Sequence, residues 1–419
     1  MSRTKVICIL THSPSPNSKK NIEQANIPKN YVKVDYGPKW LGFFDVDWHV
    51  QVMENLGKVS DKFLLECWRP YELARESHSM EINSIKHRIF PSKVLRFRDK
   101  FIWEKSSIML KEIDNEISNS SPIIILLGPH TPLALSILRN VKNCKIMGMH
   151  VGGLPAEYQF KNGKSILARL FSFPKYLVEQ GAYNKLDYSC GATFTQKSFM
   201  KKYCENSVLY HPLGVNPPEP KHSKAEYRDL LNIGQDKKVL LYVGRLWKKL
   251  GVVNNIKIFK SLKSLIPELE LYLVGGYKSD ELYDFCVGSG ANIVQRIPKE
   301  KLFGYYFASD MYLDLRDDTT LLNAGGIGIA LTEAVLSGLP VVSTGLIHLG
   351  NLNDSDKTLD INKLFLHNPK SLGSALAFIY NFFSQPTSNN FDISNYKDLY
   401  SWSKISKRLD YILSELATE

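Results

Sequence analysis

Along most of the chain, short runs of consecutive apolar residues alternate with segments in which apolar residues recur at every third or fourth position. The runs predict buried strands, and the periodic segments predict amphipathic helices. Strands and helices that alternate in this way indicate parallel sheets with helices on both faces. In the first half of the chain we expect strands at Val6–Leu10, Phe63–Trp68, Pro122–Leu127, Lys145–His150, Ala192–Thr195 and Val208–His211, and helices at Trp48–Leu56, Ile102–Ile117, Pro132–Val141 and Gln196–Tyr203.

A second unit with the same alternation follows a short connection. The segment NPPEPKHSK (216–224) is rich in proline and charge and has no hydrophobic period, which is typical of a linker. We therefore predict two doubly wound α/β domains, 1–215 and 216–395, with a ligand cleft between them and a separate C-terminal helical segment, 396–419. The expected elements of this half are strands at Val239–Val243, Leu269–Val274, Asn292–Gln295, Met311–Leu315 and Pro340–Ser343, and a last helix at Tyr396–Leu416.

Two glycine turns in the second unit have the form of anion-binding sites. The unit's first strand ends in Gly244 and Arg245, and a loop that includes Gly326 and Gly328 opens the helix that carries Glu333. A strand, a glycine turn and a helix N-terminus bring free N–H groups and the positive end of the helix dipole to one point. An arginine there suits a diphosphate, and a carboxylate can accept hydrogen bonds from ribose hydroxyls. The pattern favours a sugar nucleotide, although many such turns bind no ligand.

The net charge of +11 belongs entirely to the first half of the chain. Residues 1–215 hold 30 Lys and Arg against 19 Asp and Glu, and the remaining residues hold 23 of each. A basic face implies an anionic partner. Because no nucleic-acid motif accompanies it, we expect an anionic membrane surface or a lipid-linked acceptor and no nucleic acid. A basic surface without any partner is the alternative.

The segment Lys86–Lys111 interleaves Lys and Arg with aromatic and aliphatic residues. As one helix it would carry a basic amphipathic face, which is typical of an anchor at an anionic membrane surface. The same apolar stripe would equally serve as an ordinary face of the core.

Neither a membrane span nor a secretion signal is expected. The chain has no run of eighteen apolar residues, and the apolar run VICIL (6–10) is short enough to be a first buried strand. The six cysteines form no C-x-x-C pair and have no histidine at metal-ligand spacing, so buried reduced thiols are expected. We therefore expect a cytoplasmic protein, peripheral on the inner face of a membrane.

Six segments of the chain carry a family pattern when they are taken in order: IMGMHVGG (146–153), HPLGVN (211–216), VGRLWKKLG (243–251), LELYLVGG (269–276), IGIALTEAVLSGLPVVST (327–344) and SWSKISKRLDYIL (401–413). Together they resemble the GT-B glycosyltransferases, and specifically the large retaining family 4 (glycosyl transferases group 1), which contains bacterial lipopolysaccharide, capsule and phosphatidylinositol mannosyltransferases. The resemblance implies the GT-B fold, in which two Rossmann-like doubly wound domains face a central cleft. It also implies that the last helix crosses back to the first domain.

The resemblance assigns catalytic roles to His150, Arg245 and Glu333. Arg245, with Lys248 or Lys249, would neutralise the diphosphate, and Glu333 would accept from the ribose. His150 stands at a strand end before two glycines, and it would donate a hydrogen bond to the donor sugar or the transferring oxygen. Further donor contacts are expected from Gly42, Gly244, Arg296, Ile297, Gly326, Ile327, Gly328 and Leu331, with the nucleobase held by backbone near Arg296 and Ile297.

Each of these residues also has a structural alternative. The arginine can pair with a surface carboxylate, the glycines can be plain turn residues, and a lone histidine is more often part of the packing. Two positions also depart from the family pattern. Gly325 stands where the family has a first glutamate, and Leu250 stands where it has a lysine. Asp317 or Asp318 is a candidate for the missing carboxylate, against a solvated acidic loop. These departures imply a different hold on the donor sugar or a reduced activity.

The leading hypothesis is an enzyme, a hexosyltransferase or a related glycosyltransferase. It would move a sugar from a nucleotide donor to a lipid-linked or polysaccharide acceptor in cell-envelope glycan synthesis, with retention of configuration, as the resemblance implies. One alternative is a non-catalytic GT-B subunit that binds nucleotide sugar or scaffolds a partner, for which Gly325 is the argument. Another is a sugar-nucleotide epimerase or hydrolase of the same fold, which the basic first half disfavours. No cofactor is expected, and because N-capping explains the D-x-D spelling of Asp45 and Asp47, we predict metal-independent transfer.

Overall fold

Two β-sheets that are parallel but for one edge strand, one within residues 4–209 and the other within 238–367, form the frame of the molecule. The computed structural model describes residues 3–12, 48–72, 74–97, 100–150, 156–162, 166–192, 194–210, 213–247, 250–276, 280–295, 297–316, 328–344, 366–367, 369–385, 397 and 400–418. The expected α/β class is confirmed. The domain limits at 215/216 and 395/396 stay predictions.

The first sheet has eight strands, of which all but one edge strand run parallel to their neighbours. A separate antiparallel hairpin, β5–β6, follows the edge. The strands of this half are β1 (Thr4–Leu10), β2 (Phe63–Tyr71), β3 (His78–Ile82), β4 (Ile85–Pro91), β5 (Lys93–Phe97), β6 (Lys100–Lys105), β7 (Ile123–Leu127), β8 (Lys145–His150), β9 (Tyr188–Gly191) and β10 (Ser207–Leu209). The spatial order in the sheet is β10-β9-β8-β7-β1-β2-β4-β3.

Alternate residues of β1 face opposite sides of this sheet, and each side is covered by helices. Val6 and Cys8 belong to one hydrophobic cluster with the helix Trp48–Gly57, and Ile7 and Ile9 belong to another with the helices Ser107–Ser120 and Pro132–Asn140. A central parallel strand buried on both faces explains the uninterrupted run VICIL. The helices of this half are α1 (Trp48–Gly57), α2 (Ser107–Ser120), α3 (Pro132–Asn140), α4 (Ala156–Asn162), α5 (Ile166–Tyr183) and α6 (Phe194–Met200).

The second sheet has six parallel strands in the order β13-β12-β11-β14-β15-β16. These are β11 (Lys238–Val243), β12 (Leu269–Val274), β13 (Asn292–Val294), β14 (Met311–Asp314), β15 (Val341–Ser343) and β16 (Leu366–His367). The helices are α7 (Lys224–Leu230), α8 (Val252–Lys263), α9 (Asp280–Val287), α10 (Lys299–Ala308), α11 (Ile329–Leu336) and α12 (Leu372–Ser384). Each sheet reverses its strand order once, between β1 and β7 and between β11 and β14. Open α/β sheets bind ligands outside the carboxyl ends of the strands at such reversals.

The last helix, α13 (Trp402–Thr418), packs on the core of the first unit. Its inward residues join the cluster of β1 and α1, and Lys62 pairs with Asp410 at its surface at 2.9 Å. The chain enters and leaves the second unit side by side, since Val215 N donates to Tyr400 O at 2.8 Å and Trp402 N donates to Asn216 Oδ1 at 3.1 Å. The return of the C-terminal helix to the first domain is thus confirmed.

The predicted strand at Ala192–Thr195 is wrong, because the strand is Tyr188–Gly191 and helix α6 already begins at Phe194. The sequence there is weakly apolar on both sides of Gly191, so hydrophobicity alone does not fix the strand. The position of the strand is fixed instead by its neighbour, because β9 pairs with β8 along its length.

The predicted helix at Ile102–Ile117, and the single amphipathic helix across Lys86–Lys111, are also wrong. This stretch contains strand β4 and the β5–β6 hairpin, and the helix begins only at Ser107. Basic and apolar residues here alternate with a period of two as well as appearing three or four apart, and pairing with β2 selects the strand. Ser106 caps the helix by accepting from Met109 N, a boundary signal that the sequence did carry.

All six cysteines are free thiols and five of them are buried, which confirms that expectation. No helix in the described ranges is both long enough and apolar enough to cross a bilayer.

Candidate active site

His150 is the last residue of β8, at the carboxyl edge of the first sheet. Its side chain is buried, and neither ring nitrogen has a hydrogen-bond partner among the residues that the structure describes. The ring packs edge-on against Tyr183 with centroids 5.9 Å apart. Burial, reinforced by the charge of His130, lowers the pKa of His150 to about 3, so the imidazole is neutral at physiological pH. A neutral imidazole with two unused nitrogens suits hydrogen bonding to a ligand.

His130 is a second histidine at this edge that the sequence pattern did not point to. It follows β7 after Gly128, whose φ of 84° lies in the left-handed region. Burial, with the charges of Lys175 and His12, lowers the pKa of His130 to about 3. The available signal was Gly-Pro-His directly after a buried strand, beside the point where the sheet reverses its strand order.

The turn after β11 packs against the turn after β12 without room for side chains. Gly244 N donates to Val274 O at 2.9 Å, and Leu246 N donates to Gly276 O at 2.9 Å. A Cβ atom on Gly275, whose φ is 149°, would lie 1.9 Å from the carbonyl oxygen of Gly244. Glycine is therefore required here for the close approach of two backbones.

Arg245 is exposed at this edge and stacks over the Trp247 ring at 4.3 Å. No carboxylate lies within ion-pair distance of it in the described ranges. Partial desolvation and the positive charge of Arg316 lower the pKa of the Arg245 guanidinium from its usual value. The surface-pairing alternative for Arg245 therefore finds no support among the described residues.

Arg316, two residues beyond β14, is a further cation that the sequence pattern did not point to. It forms a bidentate pair with the buried carboxylate of Asp314, at 3.0 Å from Nε and 2.9 Å from Nη2. Burial alone would lower the pKa of Arg316, but the pair with Asp314 raises that pKa above its usual value. The available signal was the sequence Asp-Leu-Arg at the end of β14. Residues two apart in an extended segment lie on the same side of it, so the carboxylate and the guanidinium are neighbours.

Two glycines bring helix N-termini to the same edge. Gly251, with φ of 85°, caps α8, and a Cβ there would lie 2.7 Å from the backbone of Leu315. Gly328 caps α11, and a Cβ there would lie 2.8 Å from Nη2 of Arg316. The end of β14 thus contacts both the start of α8 and the start of α11. Neither helix has a side-chain cap among the described residues; Leu331 N donates to Gly328 O at 3.0 Å, and the N–H groups before it in α11, with the first ones of α8, can face an anion.

Glu333 lies in α11, buried, with both carboxylate oxygens contacted by α10. Lys299 Nζ is 3.3 Å from Oε1, and the Tyr306 hydroxyl is 3.1 Å from Oε2. Burial raises the pKa of Glu333, and the half-exposed Lys299 opposes this. Glu333 therefore has an ion-pair partner and a hydrogen-bond donor within the protein, Lys299 and Tyr306, which the sequence pattern did not indicate. Lys299 lies two residues after Ile297, so Glu333 is linked to the expected nucleobase segment.

The remaining candidates divide into two groups. Leu331 is buried in the core beside α10, and Ile297 packs against the same cluster, so a ligand contact by Leu331 would not come from an exposed side chain. The other candidates lie outside the described residues: Gly42, Lys248, Lys249, Arg296, Gly326, Ile327, and with them Gly325, Asp317 and Asp318. Their roles stay predictions.

Two cavities accompany the second sheet, at opposite edges. The larger, of 440 Å³, is lined by Lys238, Asp310 and Pro340 at the amino ends of strands. The smaller, of 240 Å³, is lined by Asn254, Arg316 and other residues at the carboxyl ends of β14 and β15. We place the site at the carboxyl edge despite the smaller volume, because the helix N-termini and the arginines are there. Within the described residues, no three His, Cys, Asp or Glu side chains come together as a metal site.

The geometry has counterparts among known proteins. Residues 223–351 match the family model described as "Glycosyl transferases group 1". Over 206 residues the chain is 25% identical to an uncharacterized glycosyltransferase of Methanocaldococcus jannaschii, covering 45% of this chain and 47% of the relative. Over 161 residues it is 27% identical to a GDP-mannose-dependent α-(1-6)-phosphatidylinositol monomannoside mannosyltransferase of Mycolicibacterium smegmatis, covering 36% and 42%. The chain spans about half the length of these curated relatives.

Solved structures of similar fold cover nearly the whole chain. Sucrose-phosphate synthase of Thermosynechococcus elongatus superposes with a TM-score of 0.65 at 15% identity, over 99% of this chain and 100% of that one. Anabaena HepE in complex with UDP gives 0.62 at 12% identity, over 98% and 100%. The two sheets and the returning helix are thus a GT-B fold. The match to the glycosyl transferases group 1 model, over residues 223–351, lies within the second unit of this fold.

Proposed function

We propose that this protein is a glycosyltransferase that takes a sugar from a nucleotide-diphosphate donor. The observation that carries the proposal is the convergence of Arg245, Arg316 and the uncapped N-termini of α8 and α11 at one edge of the second sheet. Arg245, together with Arg316 held by Asp314 and two helix dipoles at the same edge, favours an anionic ligand. A leaving diphosphate gains negative charge as the bond to the sugar breaks, so these groups stabilise the transition state more than the bound donor.

The other parts of the donor are assigned to the neighbouring residues. Arg245 contacts the diphosphate, because it has no carboxylate partner in the described chain, while Arg316 is held in place by Asp314. Glu333, oriented by Lys299 and Tyr306, accepts from the ribose. His150 stays neutral and donates a hydrogen bond to the sugar or the transferring oxygen. We propose that transfer is metal-independent and retains the anomeric configuration.

For the acceptor we propose a lipid-linked glycan or a polysaccharide in cell-envelope synthesis, with the protein on the cytoplasmic face of the membrane. The excess of 30 Lys and Arg over 19 Asp and Glu in residues 1–215 supports an anionic partner on the acceptor side. One relative is described as acting on phosphatidylinositol monomannoside, which agrees with a lipid-linked acceptor.

A thermal-shift screen against UDP, GDP, ADP, CMP and their common sugar conjugates tests the donor assignment. A nucleotide that binds only the native state at a hundredfold excess over its Kd stabilises it by about 2.7 kcal/mol. We expect one base family to raise the melting temperature and its sugar conjugate to release nucleotide when an acceptor is supplied. A protein that none of these nucleotides stabilises would refute the proposed function.

A non-catalytic nucleotide-binding subunit is the second candidate, favoured by Gly325 where the family has a glutamate. The two candidates differ in turnover. A subunit of this kind would bind the nucleotide sugar in the screen and release no nucleotide with any acceptor, whereas a transferase would do both.

A further inference from the structure

Helix α5 exposes six of its large apolar side chains to solvent, while its inner side is mixed and includes Ala182 and Tyr183. Ser172 and Glu179 are buried against the first unit. The outward side chains are between 37% and 76% exposed, and they are Ile166, Leu167, Leu170, Phe173, Leu177 and Val178. This arrangement differs from that of a surface helix in a globular protein, whose apolar stripe faces the core.

The exposed apolar residues of α5 form one continuous stripe. Ile166, Leu170, Phe173 and Leu177 follow the spacing i, i+4, i+7 and i+11, which keeps them on one face of a helix. Leu167 and Val178 lie about a quarter turn to one side of it. A contiguous apolar patch of this kind on a soluble surface marks an interaction site.

The helix is fixed in this orientation by contacts of its inner side. Glu179 Oε2 accepts from Ala156 N at 2.5 Å, and Oε1 pairs with Lys175 at 3.4 Å. Phe173 and Tyr176 pack against Phe160 of α4, with ring centroids 5.1 Å and 5.8 Å away. Rotating the stripe inward would break a buried carboxylate contact, so the exposure of the stripe is a built feature of the fold.

The surroundings of the stripe are basic. On α5 itself Arg169 and Lys175 are exposed, whereas the one carboxylate, Glu179, is buried. On the adjoining elements, Lys161 and Lys202 are each about half exposed and bracket the buried Glu157. Residues 156–205 hold eight Lys and Arg against four Asp and Glu, and two of those four are the buried glutamates.

We propose that α5 is a membrane-binding helix that lies in the interface of an anionic bilayer. Its apolar stripe would enter the boundary between headgroups and acyl chains, and the flanking cations would contact anionic headgroups. Tyr183, at the C-terminal end of the helix, contacts His150, so the same helix joins the membrane surface to the candidate active site. This surface does not depend on the donor site, and it replaces the segment Lys86–Lys111 as the anchor.

Vesicle flotation of the full chain tests the proposal. We expect binding to phosphatidylcholine vesicles that contain phosphatidylglycerol, weaker binding at high salt because the headgroup contacts are screened, and weak binding to phosphatidylcholine alone. The variant with Leu170→Glu and Leu177→Glu places two charges in the stripe, at positions 61% and 51% exposed. It should bind at least about tenfold more weakly, since two apolar groups no longer leave water.

Leu230→Glu with Leu265→Glu is the matched control, because these leucines are 65% and 57% exposed in the second unit. It should bind vesicles as the natural chain does, and both variants should melt at the unaltered temperature and bind nucleotide in solution. A second comparison, Leu95→Glu with Trp103→Glu, places charges on the β5–β6 hairpin. It should also leave binding unchanged.

The proposal is overturned if the natural chain does not bind anionic vesicles, or if the α5 variant binds them unchanged. Loss of binding only in the hairpin variant would overturn it in favour of that segment. If the α5 variant has a lower mass than the natural chain in light scattering and still binds vesicles, the stripe joins two copies of the chain, and this result would also overturn the proposal. Nucleotide binding is measured separately, so failure here leaves the donor assignment standing.

Discussion

At the scale of single residues, the candidate site contains groups that cost stability. His150 is buried with two unpartnered nitrogens among the described residues, and Glu333 is a buried carboxylate whose pKa is raised. Unsatisfied or charged groups of this kind weaken a fold unless a ligand completes them. We therefore expect that replacing these residues with neutral groups of similar shape will keep or raise the stability of the fold and will weaken its function.

Substitution His150→Phe should make the protein less sensitive to acid. Burial holds the pKa of His150 at about 3, below the ordinary 6.5, so the stability it contributes is present above pH 6.5 and is lost as the pH falls toward 3. Phenylalanine removes that loss and keeps the ring contact with Tyr183. Acid unfolding followed by circular dichroism should show a lower midpoint pH, with sugar transfer lost and nucleotide binding retained. An unchanged midpoint would contradict the buried neutral imidazole.

Substitution Glu333→Gln should leave the fold as stable as before, or more stable, near neutral pH. Because the folded pKa of Glu333 is raised above 4.5, its favourable contribution is complete below pH 4.5 and is lost as the pH rises through the folded pKa. Glutamine removes this loss, and Lys299 is exposed enough to be hydrated. Melting temperatures from pH 4 to 8 and nucleotide affinity measure the effect.

For Glu333→Gln we expect a flatter stability profile together with weaker nucleotide binding. A large destabilisation with nucleotide affinity unchanged would mean that Glu333 serves only to hold α10 and α11 together. The sequence singled out Arg245 and His150 at strand ends and Glu333 in the helix after a glycine loop, and their roles stay predictions. It did not single out Arg316 or Lys299, since their roles come from contacts between elements distant in the chain.

At the scale of elements, the C-terminal helix begins against a glycine at which any side chain would clash with it. A Cβ atom on Gly214 would lie 2.6 Å from the Cα of Trp402 and 2.7 Å from its ring. Trp402 belongs to the core cluster of β1 and α1. The connection between the units and the start of α13 are therefore packed in direct contact.

Substitution Gly214→Ala should destabilise the protein by about 1–3 kcal/mol, the usual cost of overpacking a filled site. Gly181→Ala is the control, since a Cβ there meets nothing within 4 Å and alanine favours the helix. Urea unfolding of both variants measures the difference. Equal stability of the two variants would show that the first unit yields to accommodate the methyl group.

Element type followed from the sequence where the apolar runs were long. The strands Lys145–His150 and Leu269–Val274 have the predicted bounds. Prediction failed at the edge of the first sheet, where β4 and the β5–β6 hairpin were taken for one helix. In β4, which lies between β2 and the edge strand β3, buried residues alternate with exposed or half-exposed ones over Ile85–Ile89, so its mixed basic and apolar pattern fits either period.

At the scale of the whole molecule, the two units divide the charge and the chemistry. The second unit is neutral overall and carries the arginines and helix N-termini of the candidate donor site, and the first unit holds the entire net charge of +11. The first unit also presents the apolar stripe of α5. We infer that the second unit recognises the diphosphate and ribose of the donor, and that the first unit recognises the acceptor or a surface and contacts the donor sugar through His150. The sequence indicated this division through the glycine turns of the second unit and the charge of the first, while the exposed side of α5 depends on how the helix packs.

Calorimetric titration with the best nucleotide from the screen tests the central claim most directly. Arg245→Ala removes a charge-assisted contact to phosphate, worth about 1.5–3 kcal/mol, so the Kd should rise roughly tenfold to a hundredfold without a change in melting temperature. Arg75→Ala, at an exposed arginine of the first unit, should leave the Kd unchanged. Equal affinity of the Arg245→Ala variant and the natural chain would contradict a donor site at this edge.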